Sequence, residues 1–169
     1  LIKKICIIYV YYERKNEQKN QTNLSFFIKY GLDKSRWREM DITTLFIING
    51  KQCEVLIPER EDIIVLKQDN CSDWEGWYNG IKYFENKYNK QIYEFFSHLC
   101  LINASSFGPV YDNCKDKHWL DPFFNKMNQE NAIICSPCMN FLPNTDLGGK
   151  GFRVVPHFSV IKINKKKIN

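Results

Sequence analysis

Several groups of residues carry side chains whose types and spacing can do chemistry. Cys114-x3-His118 followed by Cys135-x2-Cys138 offers three thiolates and an imidazole, the donor set of a tetrahedral zinc site. Cys135-Ser136-Pro137-Cys138 also has the spacing of a thiol redox pair. Such a pair needs a helix N-terminus to lower its thiol pKa, and here Pro143 and a Gly-rich loop follow instead. Ser72-Asp73 stands directly before an apolar helical pattern, and either residue can cap that helix. The turn-rich run Asn103-Ala104-Ser105-Ser106-Phe107-Gly108-Pro109 follows a strand pattern, the position at which α/β sheets hold ligands. Lys150 and Arg153 flank Gly148, Gly149 and Gly151, as in a flexible loop that closes over a diphosphate, or as ordinary charges on a solvated loop.

These groups depend on the elements between them. Residues 5–12 form a near-continuous run of β-branched and aromatic side chains, the pattern of a strand buried on both faces of a parallel sheet. Leu24, Phe27, Ile28 and Leu32 then recur at helical spacing, with Gly31 as a stop. Residues 42–48 read as a second buried strand ended by Asn49-Gly50. Residues 54–57 read as a short edge strand closed by Pro58, and residues 63–66 as another strand. Trp74, Trp77, Ile81 and Phe84 mark a helix, and Gly76 and Gly80 within it point to close approach of another backbone or a ligand. Strands over 95–102 and 132–135, a helix over 119–127, a Gly-rich loop over 146–151 and a last strand over 158–163 complete the order. Alternation of strands and helices predicts one α/β domain, a mostly parallel sheet with helices on both faces.

Composition narrows the function classes. The chain of 169 residues has 44% apolar residues, enough for one sizeable core and too few residues for two full domains. Of the net charge of +5, four charges come from Lys162, Lys165, Lys166 and Lys167, in a basic tail over residues 162–169. The domain itself, residues 1–161, is left near neutrality, which argues against nucleic acid as a partner. No segment has the 18 or more apolar residues of a membrane span, and the apolar run behind Lys3 and Lys4 is too short for a signal peptide. A cytoplasmic setting follows, in which seven cysteines, several inside apolar runs, are free thiols. A first residue of Leu fits a fragment or a processed chain. Asn20, Asn70 and Asn103 match the N-glycosylation pattern, which arises readily by chance in so Asn-rich a sequence.

Residues 7–12, the segment from Asp69-Asn70 to Asp73-Trp74-Glu75-Gly76-Trp77, and residues 101–109 together resemble small GT-A-type glycosyltransferase domains. The relatives suggested are rhamnan-synthesis-like enzymes and the compact domains with which large DNA viruses of algae build capsid glycans. The resemblance runs in order over residues 3–160 and implies a GT-A-like, Rossmann-type fold. It implies a donor base at Tyr9, Tyr11 and Tyr12, whose rings can stack on uracil or thymine or else pack in the sheet core. Asp73 and Trp77 then line the donor pocket, with Asp73 accepting from a ribose or base. His157 matches a late ligand to metal or diphosphate, although a lone histidine is often structural.

The resemblance departs at Asn103-Ala104-Ser105. GT-A enzymes carry an acidic Asp-x-Asp motif there, whose carboxylates hold a divalent cation, Mn or Mg, against the donor diphosphate. Asn103 and Ser105 supply neutral oxygens, so any cation is weakly held, or Asp112 contributes, or transfer is lost. An inverting enzyme needs a carboxylate base, for which Asp146 and Asp121 are the candidates. Three classes stay open. The first is a glycosyltransferase moving sugar from a UDP- or dTDP-linked donor to a glycan or glycoprotein. The others are a catalytically weak sugar-nucleotide or glycan-binding module on the same fold, and a zinc-stabilised interaction domain.

Overall fold

A computed structural model describes residues 2–13, 18–37, 39–69, 71–110, 118–137, 139–142, 151–154 and 157–163. They form one α/β domain built on a six-stranded, mostly parallel sheet with three α-helices. The chain enters as β1 (Lys3–Tyr12) and turns through α1 (Lys19–Phe26). It returns as β2 (Met40–Asn49) and β3 (Ile63–Gln68), both parallel to their neighbours. Helix α2 (Asp73–Tyr88) carries it back to β4 (His98–Asn103), which lies parallel to β1 on the side away from β2. After α3 (Asp121–Gln129) come the short β5 (Ile134–Cys135), the paired β6 (Met139–Leu142) and β7 (Gly151–Val154), and β8 (Phe158–Lys162). The sheet order is β3-β2-β1-β4-β8-β5, and β8 runs antiparallel to both β4 and β5.

Strand β1 is buried because it is central, and its alternation divides the core. Ile5, Ile7, Tyr9 and Tyr11 point to the layer that holds Leu24 of α1 and Phe124 and Met127 of α3. Cys6, Ile8 and Val10 point to the layer of α2, against Trp77 and Phe84. Helix α2 lies close on the sheet. A Cβ on Gly76 would sit 2.7 Å from Cγ2 of Val10, and one on Gly80 would sit 2.9 Å from Cγ2 of Ile8. The two glycines therefore make room for side chains of the sheet, Val10 and Ile8 of β1 and Leu45 of β2, where the sequence pointed to another backbone or a ligand. The Trp77 indole N–H donates to the carbonyl of Ile102 at 3.1 Å, which pins the start of α2 to the end of β4.

Other elements depart from the expected pattern. Residues 54–57 form no strand, because β3 closes this edge with an irregular segment before it. Helix α1 passes at its end into a wider π-helical turn at Phe27–Gly31. Ile133 and Ile134, which the apolar run places in the core, are exposed, since β5 is a two-residue edge strand. Lys162, assigned to the tail, still pairs with His98 in β8. Asn20 and Asn103 are buried and hydrogen-bonded, which removes both as glycosylation acceptors in the folded domain. No helix among the described residues is long and apolar enough to cross a membrane.

Candidate functional site

The strand order reverses between β1 and β4, and α/β sheets bind ligands outside the carboxyl ends of strands at such a point. Helix α1 closes part of this crevice. Its Asn20 donates to the carbonyl of Tyr12 at 3.0 Å and its Asn23 to that of Ala104 at 2.8 Å, one carbonyl at each strand end. The open space lies beside it. A cleft of about 790 Å³ is lined by Tyr12 and Glu13 at the end of β1, residues 49–52 at the end of β2, and Cys71, Ser72 and Asp73 at the head of α2.

Ser72 caps α2, its Oγ accepting from the amide of Glu75 at 3.2 Å. That leaves Asp73, at the first helical position, free of a capping role while the helix dipole favours its charge. Its Oδ2 accepts from Nδ2 of Asn103 at 2.7 Å. The same Nδ2 lies 3.0 Å from Nδ1 of His157, and the Asn103 Oδ1 accepts from the amide of Ser105 at 3.1 Å. An amide N–H can only donate and a carboxylate can only accept, so the two partners together fix which way the Asn103 side chain faces. It follows that Nδ1 of His157 accepts, and a neutral His157 ring carries its proton on Nε2. The backbone reinforces the pairing, with the carbonyl of His157 accepting from the Asn103 amide at 3.0 Å and from the Ser106 hydroxyl at 2.6 Å.

The cleft's other walls are similarly fixed. Asn49 binds both backbone groups of Cys71, accepting from its amide at 2.7 Å and donating to its carbonyl, which ties the end of β2 to the approach of α2. Oε2 of Glu13 accepts from the Tyr11 hydroxyl at 3.1 Å and from the amide of Glu54 at 2.9 Å. Burial and the nearby Glu75 and Asp73 carboxylates push the Cys71 thiol above its usual range, so it faces the cleft as a neutral group.

Asp73, Asn103, Ser105 and His157 thus meet at one end of the sheet, and Tyr12 joins the cleft. Tyr9 and Tyr11 do not: both are 0% exposed, and the Tyr9 ring packs 5.0 Å from Phe27 and 5.6 Å from Phe46. Trp77 is also a core residue. These three corrections share a cause, since the central position of β1 and the close seat of α2 leave no open face on their rings. Asp121 is likewise placed elsewhere. Its Oδ2 accepts from the amide of His118 at 2.8 Å in the turn that opens α3, a structural use of the carboxylate. Asp146 and Lys150 lie outside the described residues, as does the side chain of Arg153, whose backbone pairs with Asn140 between β6 and β7.

Among the described residues the donors available to a divalent cation are few. Asn103 spends both amide hydrogens and its oxygen within the protein, and no group of three or more His, Cys, Asp or Glu among the described residues is placed to hold a metal. In the zinc constellation, Cys114 and Cys138 lie outside the described residues, while Nδ1 of His118 accepts from the amide of Leu120 at 3.3 Å. The described cysteines, Cys6, Cys53, Cys71, Cys100 and Cys135, form no disulfide.

Glu13, Asn49, Gly50, Lys51, Gln52 and Cys71 were not expected in the site. Asn49-Gly50 read only as the end of a strand. Its neighbourhood to β1 through a parallel pairing was the missing signal. No protein-family model matches the chain, and no curated protein matches it.

Proposed function

We propose that the domain binds a nucleoside diphosphate sugar in the cleft at the ends of β1 and β2 and transfers the sugar to a glycan or glycoprotein. The observation that carries this reading is the carboxylate of Asp73, released from capping by Ser72 and held at the cleft wall by Asn103. A fixed acceptor suits a ribose hydroxyl or a base N–H, and a cleft of this size is in the range of small-molecule sites. The parallel order β3-β2-β1-β4 is that of nucleotide-binding sheets, and with antiparallel β8 beside β4 it supports a GT-A-like domain. In the transfer, an acceptor oxygen bonds to the anomeric carbon as the bond from that carbon to the diphosphate oxygen breaks. The diphosphate leaves with the electron pair, and a base takes the acceptor's proton; of the candidate bases Asp146 remains, with Lys150 and Arg153 to offset charge on the leaving group.

One observation favours a second reading, a sugar-nucleotide-binding module without transfer: Asp121, the other candidate base, is tied to His118 away from the cleft. A titration separates these readings. UDP and dTDP are expected to raise the melting temperature more than ADP or GDP, with and without Mn, because a ligand of the folded state stabilises it by mass action. Release of UDP from a UDP-sugar in the presence of acceptor then identifies transfer. Equal or absent shifts across all four nucleotides defeat both readings.

A further inference from the structure

Resting on the donor reading, we infer that Trp74 is a stacking platform for a pyranose ring of the acceptor, so that the acceptor approaches over β4 and β8 while the nucleotide lies over β1 and β2. Trp74 is 67% exposed, although it follows the cleft residue Asp73 in the first turn of α2. It is outside the cleft lining. Its indole packs edge-on against Trp77, with ring centroids 5.2 Å apart and planes at 86°, and Trp77 is hydrogen-bonded to β4. The exposed indole is therefore oriented from beneath by a buried, anchored partner and lies toward the end of β4. On that side His157, exposed and joined to Asn103, presents Nε2–H as a donor.

The size and surroundings of this surface select its occupant. A tryptophan side chain offers at most about 250 Å² of contact, far below the roughly 800 Å² per partner that a stable protein interface needs. Glu75 beside it is exposed and polar, and one turn on the exposed ring of Tyr78 is attended by the ammonium of Lys82 at 5.7 Å. An exposed indole held from beneath, with polar groups beside it on α2, matches one face of a pyranose. The axial C–H groups of such a sugar pack on the π-system while its hydroxyls meet polar side chains. Asp73 stands between the two sides, its carboxylate reaching Asn103 from the cleft wall, so donor and acceptor would meet above it.

The test is an array of oligosaccharides ending in glucose, galactose, mannose, xylose, fucose or rhamnose, probed with the full chain with and without UDP. The tightest binder is then titrated against wild type, Trp74→Ala and Trp74→Tyr. We expect at least a tenfold loss of affinity in Trp74→Ala and retention within about threefold in Trp74→Tyr. Tryptophan emission of the wild type gives a reading that needs no variant. Trp77 and Trp119 are buried and Trp37 is half-buried, so a blue shift on adding the oligosaccharide reports Trp74. If UDP binds but Trp74→Ala keeps wild-type affinity for the oligosaccharide, or no oligosaccharide binds in either condition, the platform is overturned and the donor reading stands. If the oligosaccharide binds through Trp74 and no nucleotide binds, the platform stands and the donor reading falls.

Discussion

Ser72 and Asp73 are adjacent residues of which either can cap a helix, and their separation into two roles is the smallest-scale event on which a site here depends. Ser72 supplies the cap, so removing it costs about 1 kcal/mol, a fall of roughly 2 to 4 °C in melting temperature for a chain of this size. Asp73 faces Asn103 instead. Asp73→Ala is expected to leave the melting temperature within about 2 °C of wild type, and to weaken UDP binding by ten- to more than a hundredfold if its charge-assisted hydrogen bond contributes about 1.5 to 3 kcal/mol. Calorimetric titration beside melting curves checks both. A Ser72→Ala variant that loses affinity as Asp73→Ala does, or an Asp73→Ala variant that loses only stability, would reverse the assignment. Sequence alone marks both residues but does not divide their roles, because the choice depends on Asn103, thirty positions away, reaching the Asp73 carboxylate. The tyrosines of β1 teach the opposite lesson: their type suits base stacking, yet whether a ring is available is decided by how many strands flank it.

Among the elements, α2 couples the site to the core. Its first turn holds Ser72, Asp73 and Trp74, while Gly76 and Gly80 let its axis approach β1. Helix propensity alone favours Gly76→Ala by about 1 kcal/mol. The new methyl would meet Val10 Cγ2 at 2.7 Å and Cγ1 at 3.0 Å, and the branched Val10 side chain has little rotamer freedom to yield. Overpacking of this kind costs about 1 to 3 kcal/mol, so Gly76→Ala is expected to lower the melting temperature, and Val10→Ala in the same chain to recover part of the loss. A stabilised single variant would show that α2 can shift outward without penalty. The order of strands and helices was readable because β1, β2 and α2 have long, clear apolar periods. The ends were not: β5 has too few residues for periodicity, residues 54–57 have the composition of a strand without a partner to pair with, and β8 reads identically whether parallel or antiparallel.

Across the whole molecule, Asp73, Asn103, Ser105 and His157 gather at the carboxyl end of the parallel strands, while two other histidines, one buried and one half-buried, lie elsewhere and set how the fold responds to acid. His118, 2% exposed, is pushed down to about 4, first by burial and also by the positive charge of Arg36, against the opposing pull of Asp121 and Asp33. His98 is likewise held at about 4 by burial, with Lys162 and Lys3 adding to the effect. Both are therefore uncharged in the folded state at pH values where the unfolded chain, near 6.5, already binds protons. Unfolding then takes up protons, so stability contributed by the neutral rings is complete above about pH 6.5 and is lost as pH falls toward 4. Each ring can contribute up to about 3 kcal/mol across that interval, less for His98, which is only partly enclosed. Melting temperature is expected to fall steadily from pH 7 to pH 4.5, and the fall to be shallower in His118→Asn, whose side chain does not titrate. A variant that follows the wild-type curve over this range would mean that His118 gains its proton without cost, through rearrangement of the turn that joins it to Asp121.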